Sequence, residues 1–342
     1  MAERDLAIRT FLDRAGWGAA ERARLAGDAS FRRYERLALD GRRAVLMDAP
    51  PPHESVGAFR GVAELLRGMG FSAPAVLAAD EDAGLLLLED LGDRTFAKAL
   101  AEGADAAELY RLATDTLIAL QRAWTPALAR QAALPAYDDA LLVGREAMLL
   151  PDWTLPALGR PADARARAAY ADAWRAALEP AQALPATLVL RDYFPDNLMW
   201  LDGRAGTDAC GLLDFQDAVV GPPVYDLASL LQDARRDVPA EIERAMLQRY
   251  LDAFPELDPD ATRAAYTAIA AQRHAKVIGI FTRLAHRDGK PGYLAHMPRL
   301  WRLLEAALAD PALAPVRAWF DRHLPPEARR TPPETPPAES FP

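Results

Sequence analysis

Three polar residues set just beyond short apolar runs carry the chemistry of this chain. Asp192 follows the run Leu188-Val189-Leu190 and one arginine, Asn197 comes five positions later, and Asp214 closes a second run, Gly211-Leu212-Leu213. An aspartate delivered to a polar turn by an apolar segment suits the task of orienting a hydroxyl group and accepting its proton. An asparagine soon after it can reach a metal ion while bonding the loop backbone. A carboxylate at a strand end offers the hard oxygen that magnesium prefers. Taken together, these residues suit phosphoryl transfer to a hydroxyl, a reaction in which a protein mostly positions the reactants and neutralises phosphate charge. One Asp-x-x-x-x-Asn alone arises often by chance. The second apolar run ending in Asp214-Phe215, and the strand-rich region ahead of both, give the pattern its weight. Against it stands the plainer reading in which Asp192 and Asp214 only cap turns.

Such residues need a scaffold, and the pattern along the chain supplies one. Ala2 to Ala15 places Ile8, Phe11, Leu12 and Ala15 at helical spacing, with Gly16 and Gly18 as stops. Three short strands follow at 24–26, 31–37 and 43–47. The first pair is joined by Gly27-Asp28-Ala29-Ser30 and the second by Leu39-Asp40-Gly41-Arg42, where Asp-Gly is a hairpin signal. Glu54 to Met69 reads as an amphipathic helix with Val56, Phe59, Val62, Leu65 and Leu66 on one side. Residues 75–79 and 85–88 read as a further hairpin. Past Gly92 the pattern is helical, apart from the runs around Asp192 and Asp214. The expectation is an α+β, bilobal fold, with a small antiparallel sheet and one main helix in the first lobe and a larger, mostly helical second lobe. Its divisions fall at 1–90 for the nucleotide-binding lobe, 91–324 for the helical lobe with the acceptor site, and 325–342 for a proline-rich tail expected to be disordered. The loop from Gly27 to Ser30 has one glycine and is by itself no evidence of phosphate binding. Its small residues would let the amides and Ser30 approach phosphate, and an ordinary hairpin turn fits them equally well. Arg32 and Arg33 adjoin that loop, and because neighbours in a strand point to opposite faces, one of them is expected to face the nucleotide.

The composition narrows the partners. The 342 residues carry a formal net charge of −9, which argues against a nucleic-acid partner. Cys210 is the single cysteine, so no intrachain disulfide forms, and its apolar surroundings suggest a small buried residue. No early stretch has the order of a signal peptide, and no apolar run approaches the ~18 residues of a membrane span. A soluble, cytoplasmic protein is expected. His274, His286 and His296 lack metal-ligand spacing and suggest structural or surface roles. Tyr137-Asp138-Asp139, Asp152-Trp153 and the polar break from His286 to Lys290 are weaker acceptor-side candidates.

With those residues in view, the stretch from about Leu25 to Ala309 resembles the kinases of the aminoglycoside-phosphotransferase type, relatives of the protein kinases. The resemblance is carried by Leu190 to Asn197, by Leu213-Asp214-Phe215-Gln216-Asp217-Ala218 and by Pro223-Val224-Tyr225-Asp226-Leu227-Ala228-Ser229. Gly27 to Tyr34, Met47 to Pro51 and Gly289 to Tyr293 make it most similar to the bacterial anomeric kinases of N-acetylmuramate and N-acetylglucosamine, which act in cell-wall recycling. What the resemblance implies is a protein-kinase-like fold, use of ATP and Mg2+, and a sugar acceptor. Asp192 would be the catalytic base, and Asn197 and Asp214 the magnesium ligands. Glu89 and Leu91 would present backbone groups to the adenine edge, and Asp226 would tie the helix after the metal-binding aspartate to the catalytic loop. Two positions depart from the pattern. Leu190 stands where relatives often have histidine, and Met47 stands where the third strand normally supplies a lysine to the phosphates. Glu64, at the place of the helix glutamate that pairs with that lysine, must then find another partner. A kinase of another hydroxylated metabolite, an aminoglycoside or an amino alcohol, is the alternative within enzymes, and a nucleotide-binding pseudokinase is the alternative outside them. A cationic acceptor would call for clustered carboxylates around its site.

Overall fold

The computed structural model describes residues 2–25, 32–51 and 56–335, and the chain forms two compact units, residues 1–133 with 195–218 and residues 134–194 with 219–342. The expected phosphate loop, with Ser30, lies outside the described residues.

The first unit holds a five-stranded antiparallel sheet of order β1-β2-β3-β5-β4, made of β1 (Glu21–Arg24), β2 (Arg33–Leu39), β3 (Arg42–Asp48), β4 (Val76–Asp80) and β5 (Leu85–Glu89). β2 and β3 pair in unbroken register from Arg33↔Asp48 to Leu39↔Arg42. Their two-residue turn has φ of 50° at Asp40 and 76° at Gly41. Positive φ at both central positions gives the turn the twist that flanking strands need. Alternation then assigns the two faces. Leu37, Ala44, Leu46, Leu85 and Leu87 form one core with Trp17 and with Ile8, Phe11 and Leu12 of α1 (Ala2–Arg14). The opposite face carries Tyr34, Arg36, Val45 and Leu88, which line a cavity. α2 (Val56–Gly68) buries Val56, Phe59, Val62, Ala63 and Leu66, and the Phe59 ring packs 4.8 Å from that of Phe215.

The boundary expected at residue 90 is not where the compact units divide. α3 (Phe96–Ala101), α4 (Ala106–Ala123), α5 (Pro126–Ala132) and the hairpin of β7 (Leu198–Trp200) with β8 (Cys210–Leu212) all belong with the sheet. Backbone bonds explain it: Leu212 N–H donates to Ser72 O at 2.8 Å, and Trp200 N–H donates to Arg94 O at 2.8 Å. These ties span more than a hundred residues, so no local pattern announces them.

In the second unit, β6 (Thr187–Val189) pairs antiparallel with β9 (Val219–Gly221). Single turns α6 (Asp139–Leu141) and α7 (Leu155–Ala157) flank two π-helical stretches, Leu142–Ala147 and Leu150–Thr154. The remaining helices are α8 (Ala164–Gln182), α9 (Tyr225–Leu231), α10 (Ala240–Ala253), α11 (Pro259–His286), α12 (Met297–Leu308) and α13 (Ala314–His323). α11 is 28 residues long, and most of its side chains are buried. Asp258 caps its first turn, accepting the Ala261 N–H at 2.7 Å. At Gly279 a Cβ would stand 2.4 Å from the backbone carbon of Leu149, so glycine is what lets the helix approach the π-helical segment so closely.

Of the expected tail, residues 325–335 are described. Leu324 and Ala328 are buried, Arg329 meets Asp321 at 2.6 Å and Glu305 on α12, and Trp301 Nε1 donates to Arg330 O at 3.1 Å. Proline-rich composition disfavours regular elements, yet a few apolar anchors and one buried arginine suffice to dock an irregular segment. No helix among the described residues is long and apolar enough to cross a membrane.

Candidate active site

The cavity under the sheet encloses about 270 Å3, and all the residues lining it belong to the first unit. Arg32, Tyr34, Arg36, Glu89, Leu91, Asn197 and Asp214 are among them. The hairpin of β7 and β8 brings the last two together. Leu213 N–H donates to Asn197 O at 3.0 Å, and Asn197 Nδ2 lies 3.5 Å from Asp214 Oδ2. Asp214 takes a positive φ of 56°, unusual for a residue with a side chain and a mark of a conformation held by its surroundings. Its other oxygen accepts Gln216 Nε2 at 3.0 Å and meets Arg32 Nη2 at 3.3 Å. An asparagine amide and an aspartate carboxylate this close form the hard, oxygen-bearing pair that suits a magnesium ion sharing its other positions with phosphate and water.

Of the two arginines, one of which was expected to face the nucleotide in place of the lysine, Arg32 lines the cavity. Arg33 is exposed, opposite Asp48 in the strand register, and does not line it. Met47 is buried, and Glu64 is 65% exposed, with Arg60 at 3.8 Å as its ion-pair partner. Glu89 N–H is already used by Ala75 O at 2.8 Å, and its carboxylate meets Arg204 at 3.1 Å and Ala75 N–H at 3.1 Å. Its N–H and carboxylate are thus already committed within the protein. Leu91 lies on the cavity wall beside Asp90, which Arg36 clamps with bonds of 2.7 and 3.0 Å. Arg36 also donates to Gly92 O at 3.0 Å, so one guanidinium stiffens the strip 90–92 against β2.

In the second unit Asp192 follows a strained corner. Arg191 has φ of 70°, and Asp192 N–H turns back to Leu190 O at 2.9 Å. Asp226, in the first turn of α9, accepts Leu190 N–H at 2.6 Å and Arg191 N–H at 2.9 Å. That pair of bonds fixes the corner from which Asp192 projects. Burial pushes the Asp226 carboxyl up to about 7, against the pull of the two amides and of Arg273. Leu190 is buried, so its apolar side chain suits a position where histidine was expected.

Sequence reasoning missed the buried charges around this corner. Glu146, on the π-helical stretch Leu142–Ala147, is 4% exposed and receives Lys276 Nζ at 2.7 Å, together with Arg191 and the Tyr137 hydroxyl. Burial alone would raise its pKa, but Lys276 and Arg191 hold the carboxyl below its ordinary value. Lys276 also donates to the Tyr225 hydroxyl at 3.0 Å, and Arg273 to Ser229 Oγ at 2.6 Å. Arg191, Arg273 and Lys276 all feel the charge of Asp192. The only local sign was a charged residue within an apolar helical pattern, and the partners lie too far apart in sequence to be paired by eye. Of the weaker candidates, Asp138 caps α6, Asp139 pairs with Arg175 at 3.0 Å and Asp152 with Arg167 at 2.5 Å.

A small twisted sheet with one main helix, followed by a paired Asn and Asp and a helical region, defines a kinase-like phosphotransferase. Solved structures share the fold: a choline/ethanolamine kinase family protein from Mesorhizobium loti has a TM-score of 0.62 at 16% identity, covering 92% of this chain and 99% of that one. Aminoglycoside 2'-phosphotransferase-IIIa, in its GDP complex, has a TM-score of 0.60 at 16% identity, covering 89% and 98%. Residues 21–264 match the phosphotransferase enzyme family, and the chain belongs to it. Among curated relatives, the N-acetylmuramate/N-acetylglucosamine kinase of Caulobacter vibrioides is 41% identical, over 96% of this chain and 99% of its own length. The protein so named from Pseudomonas aeruginosa is 42% identical, over 86% of each.

Proposed function

We propose that this chain is an ATP- and Mg2+-dependent kinase that phosphorylates the anomeric C1 hydroxyl of N-acetylmuramate and N-acetylglucosamine in the cytoplasm, as a step of cell-wall recycling. One observation carries the kinase chemistry: the strained Asp214 held beside Asn197 and Arg32 at the end of a hairpin. The choice of acceptor rests on the two full-length relatives. It is supported by the surroundings of Asp192, where the cations Arg191, Arg273 and Lys276 balance the carboxylates Glu146, Asp192 and Asp226. Among the described residues named, the carboxylates do not outnumber the cations, which favours a neutral or anionic acceptor over an aminoglycoside or a choline.

In this reading the adenine lies under the sheet, with the Glu89 carbonyl and Leu91 N–H at its edge. Arg32 takes the place of the strand lysine and donates to the phosphates. Asn197 and Asp214 would hold magnesium, which when bound neutralises phosphate charge. Asp192 accepts the proton as the C1 oxygen bonds to the γ-phosphorus and the bond from phosphorus to the β,γ-bridging oxygen breaks. Asp226 positions Asp192 through the amides of Leu190 and Arg191.

The test is incubation with magnesium, ATP and either sugar, followed by phosphorus NMR, beside an Asp192→Asn variant. A sugar 1-phosphate is expected, formed roughly 10²- to 10⁴-fold more slowly by the variant. ATP binding with no product from either sugar would sink the acceptor assignment.

A further inference from the structure

Arg235 lies on the bend between α9 and α10. Its position is fixed by its neighbours: Asp233, almost fully buried, accepts Arg235 N–H at 2.8 Å and Arg236 Nε at 3.0 Å. Arg299 braces the bend further, reaching Asp237 at 3.1 Å. The Arg235 guanidinium then lies 4.5 Å from the ring centre of Phe194 and 5.8 Å from that of Phe281 on α11. Phe194 is two residues past Asp192. All of these groups belong to the second unit.

The guanidinium is half-buried and, among the described residues, has no hydrogen-bond or ion-pair partner. Carboxylates are not scarce: the chain has 49 acidic residues against 40 lysines and arginines. The neighbouring arginines take them, Arg236 at Asp233 and Arg299 and Arg302 at Asp237. Shielding a charge from water without a counterion is costly, and stacking on aromatic faces offsets only part of that cost. A planar guanidinium held against a ring, with its donor edge unpaired, is the arrangement that receives a carboxylate by two parallel bonds.

We infer that Arg235 binds a carboxylate on the acceptor and sets the preference of the enzyme for an acidic sugar. The inference rests on the acceptor reading above. N-acetylmuramate carries a lactyl ether with its carboxylate on the C3 oxygen, two ring carbons from C1, and N-acetylglucosamine has a plain hydroxyl there. Arg235 is thus assigned to the one substituent by which the two sugars differ, with Phe194 and Phe281 as the apolar floor beneath it.

Steady-state kinetics with both sugars on wild type, Arg235→Gln and Arg235→Lys test it. Arg235→Gln should lower kcat/KM for N-acetylmuramate about 30-fold or more, chiefly through KM, and lower that for N-acetylglucosamine by threefold at most. Arg235→Lys should recover part of the lost preference, since it keeps the charge without the fork. Equal losses on both sugars would make Arg235 a prop for Phe194 and overturn the inference, as would no loss on either. Wild type inactive on both sugars would instead overturn the acceptor reading, and the inference with it. Circular dichroism and ATP binding identify a variant that has merely misfolded, and Arg235→Lys then supplies the deciding comparison.

Discussion

The two units handle charge in opposite ways. In the first, the charged groups stand around an open cavity: Arg32 reaches Asp214, Arg36 clamps Asp90, and Glu89 is shared between Arg204 and a backbone amide. In the second, Glu146 and Lys276 are buried together, and Arg191 and Tyr137 complete the cluster. Exposure does not separate the two sets, since the Arg32 and Asp90 side chains are 10% and 4% exposed against 11% and 5% for Lys276 and Glu146. What separates them is that the first set faces a cavity a ligand can enter, whereas in the second, breaking a pair leaves an uncompensated buried charge. Substitution around the cavity should therefore cost function before stability, and substitution within the buried cluster around Glu146 stability before function.

Removing the buried carboxylate gives the largest expected effect on that contrast. Glu146→Gln leaves Lys276 and Arg191 facing each other without a counterion and should cost about 3 to 5 kcal/mol, read as a lower urea midpoint. Lys276→Met added to it should restore part of the loss, because it removes the orphaned ammonium. A Glu146→Gln protein as stable as wild type would show that the cluster is not the anchor described here.

His274 tests the same region by pH. It is buried on α11, 2.7 Å from Gln232 Oε1, and burial, with Arg273 adding to it, pushes its pKa down to about 3 from an ordinary 6.5. The unfolded chain therefore binds a proton that the folded one refuses between those values. Stability is full above pH 6.5 and falls as pH drops toward 3, by about 1.4 kcal/mol per unit from this group alone. His274→Gln should flatten the acid limb of the stability curve by that slope; parallel curves would mean that the folded protein protonates His274 freely.

How far the sequence disclosed each region follows from the distance over which its contacts act. The Asp40-Gly41 turn, the alternating faces of β2 and β3, and the run from Leu190 to Asn197 are local patterns, and the elements formed as expected. Asn197 and Asp214 lay close enough in sequence to suggest a pair, and one hairpin brings them together. Glu146 and Lys276 are 130 positions apart. Each is a charge within an apolar helical stretch, and that sign names no partner. Arg235 was equally silent, because what marks it is a partner that its neighbours have and it lacks. The segment after Pro325 is a related case: composition reports the absence of periodic structure, and says nothing of Arg329 reaching Glu305 and Asp321.

In the first unit, Arg32→Met should raise KM for ATP about tenfold or more, since a bond from a charged donor to phosphate contributes about 1.5 to 3 kcal/mol. Urea stability should change less than for Glu146→Gln, because Arg32, though only 10% exposed, faces the cavity rather than a closed cluster. Arg32→Lys should recover much of the nucleotide affinity. If Arg33→Met were the damaging variant instead, the assignment of faces along β2 would be wrong.

The smallest effect is expected where the family pattern would predict a large one. In a kinase whose third strand supplies a lysine, the glutamate of the main helix holds that lysine against the phosphates, and its loss cripples turnover. Here Met47 occupies the strand position, and Glu64 is exposed, with Arg60 at 3.8 Å on the preceding turn of α2 and Arg60 itself paired with Glu81 at 2.8 Å. Exposed pairs of this kind contribute little. Glu64→Gln should therefore leave kcat/KM for ATP within about twofold of wild type. A hundredfold loss would mean that Glu64 turns inward when nucleotide binds. It would then be Glu64, through some cation other than a strand lysine, that organises the phosphates, and Arg32 would lose the role assigned to it.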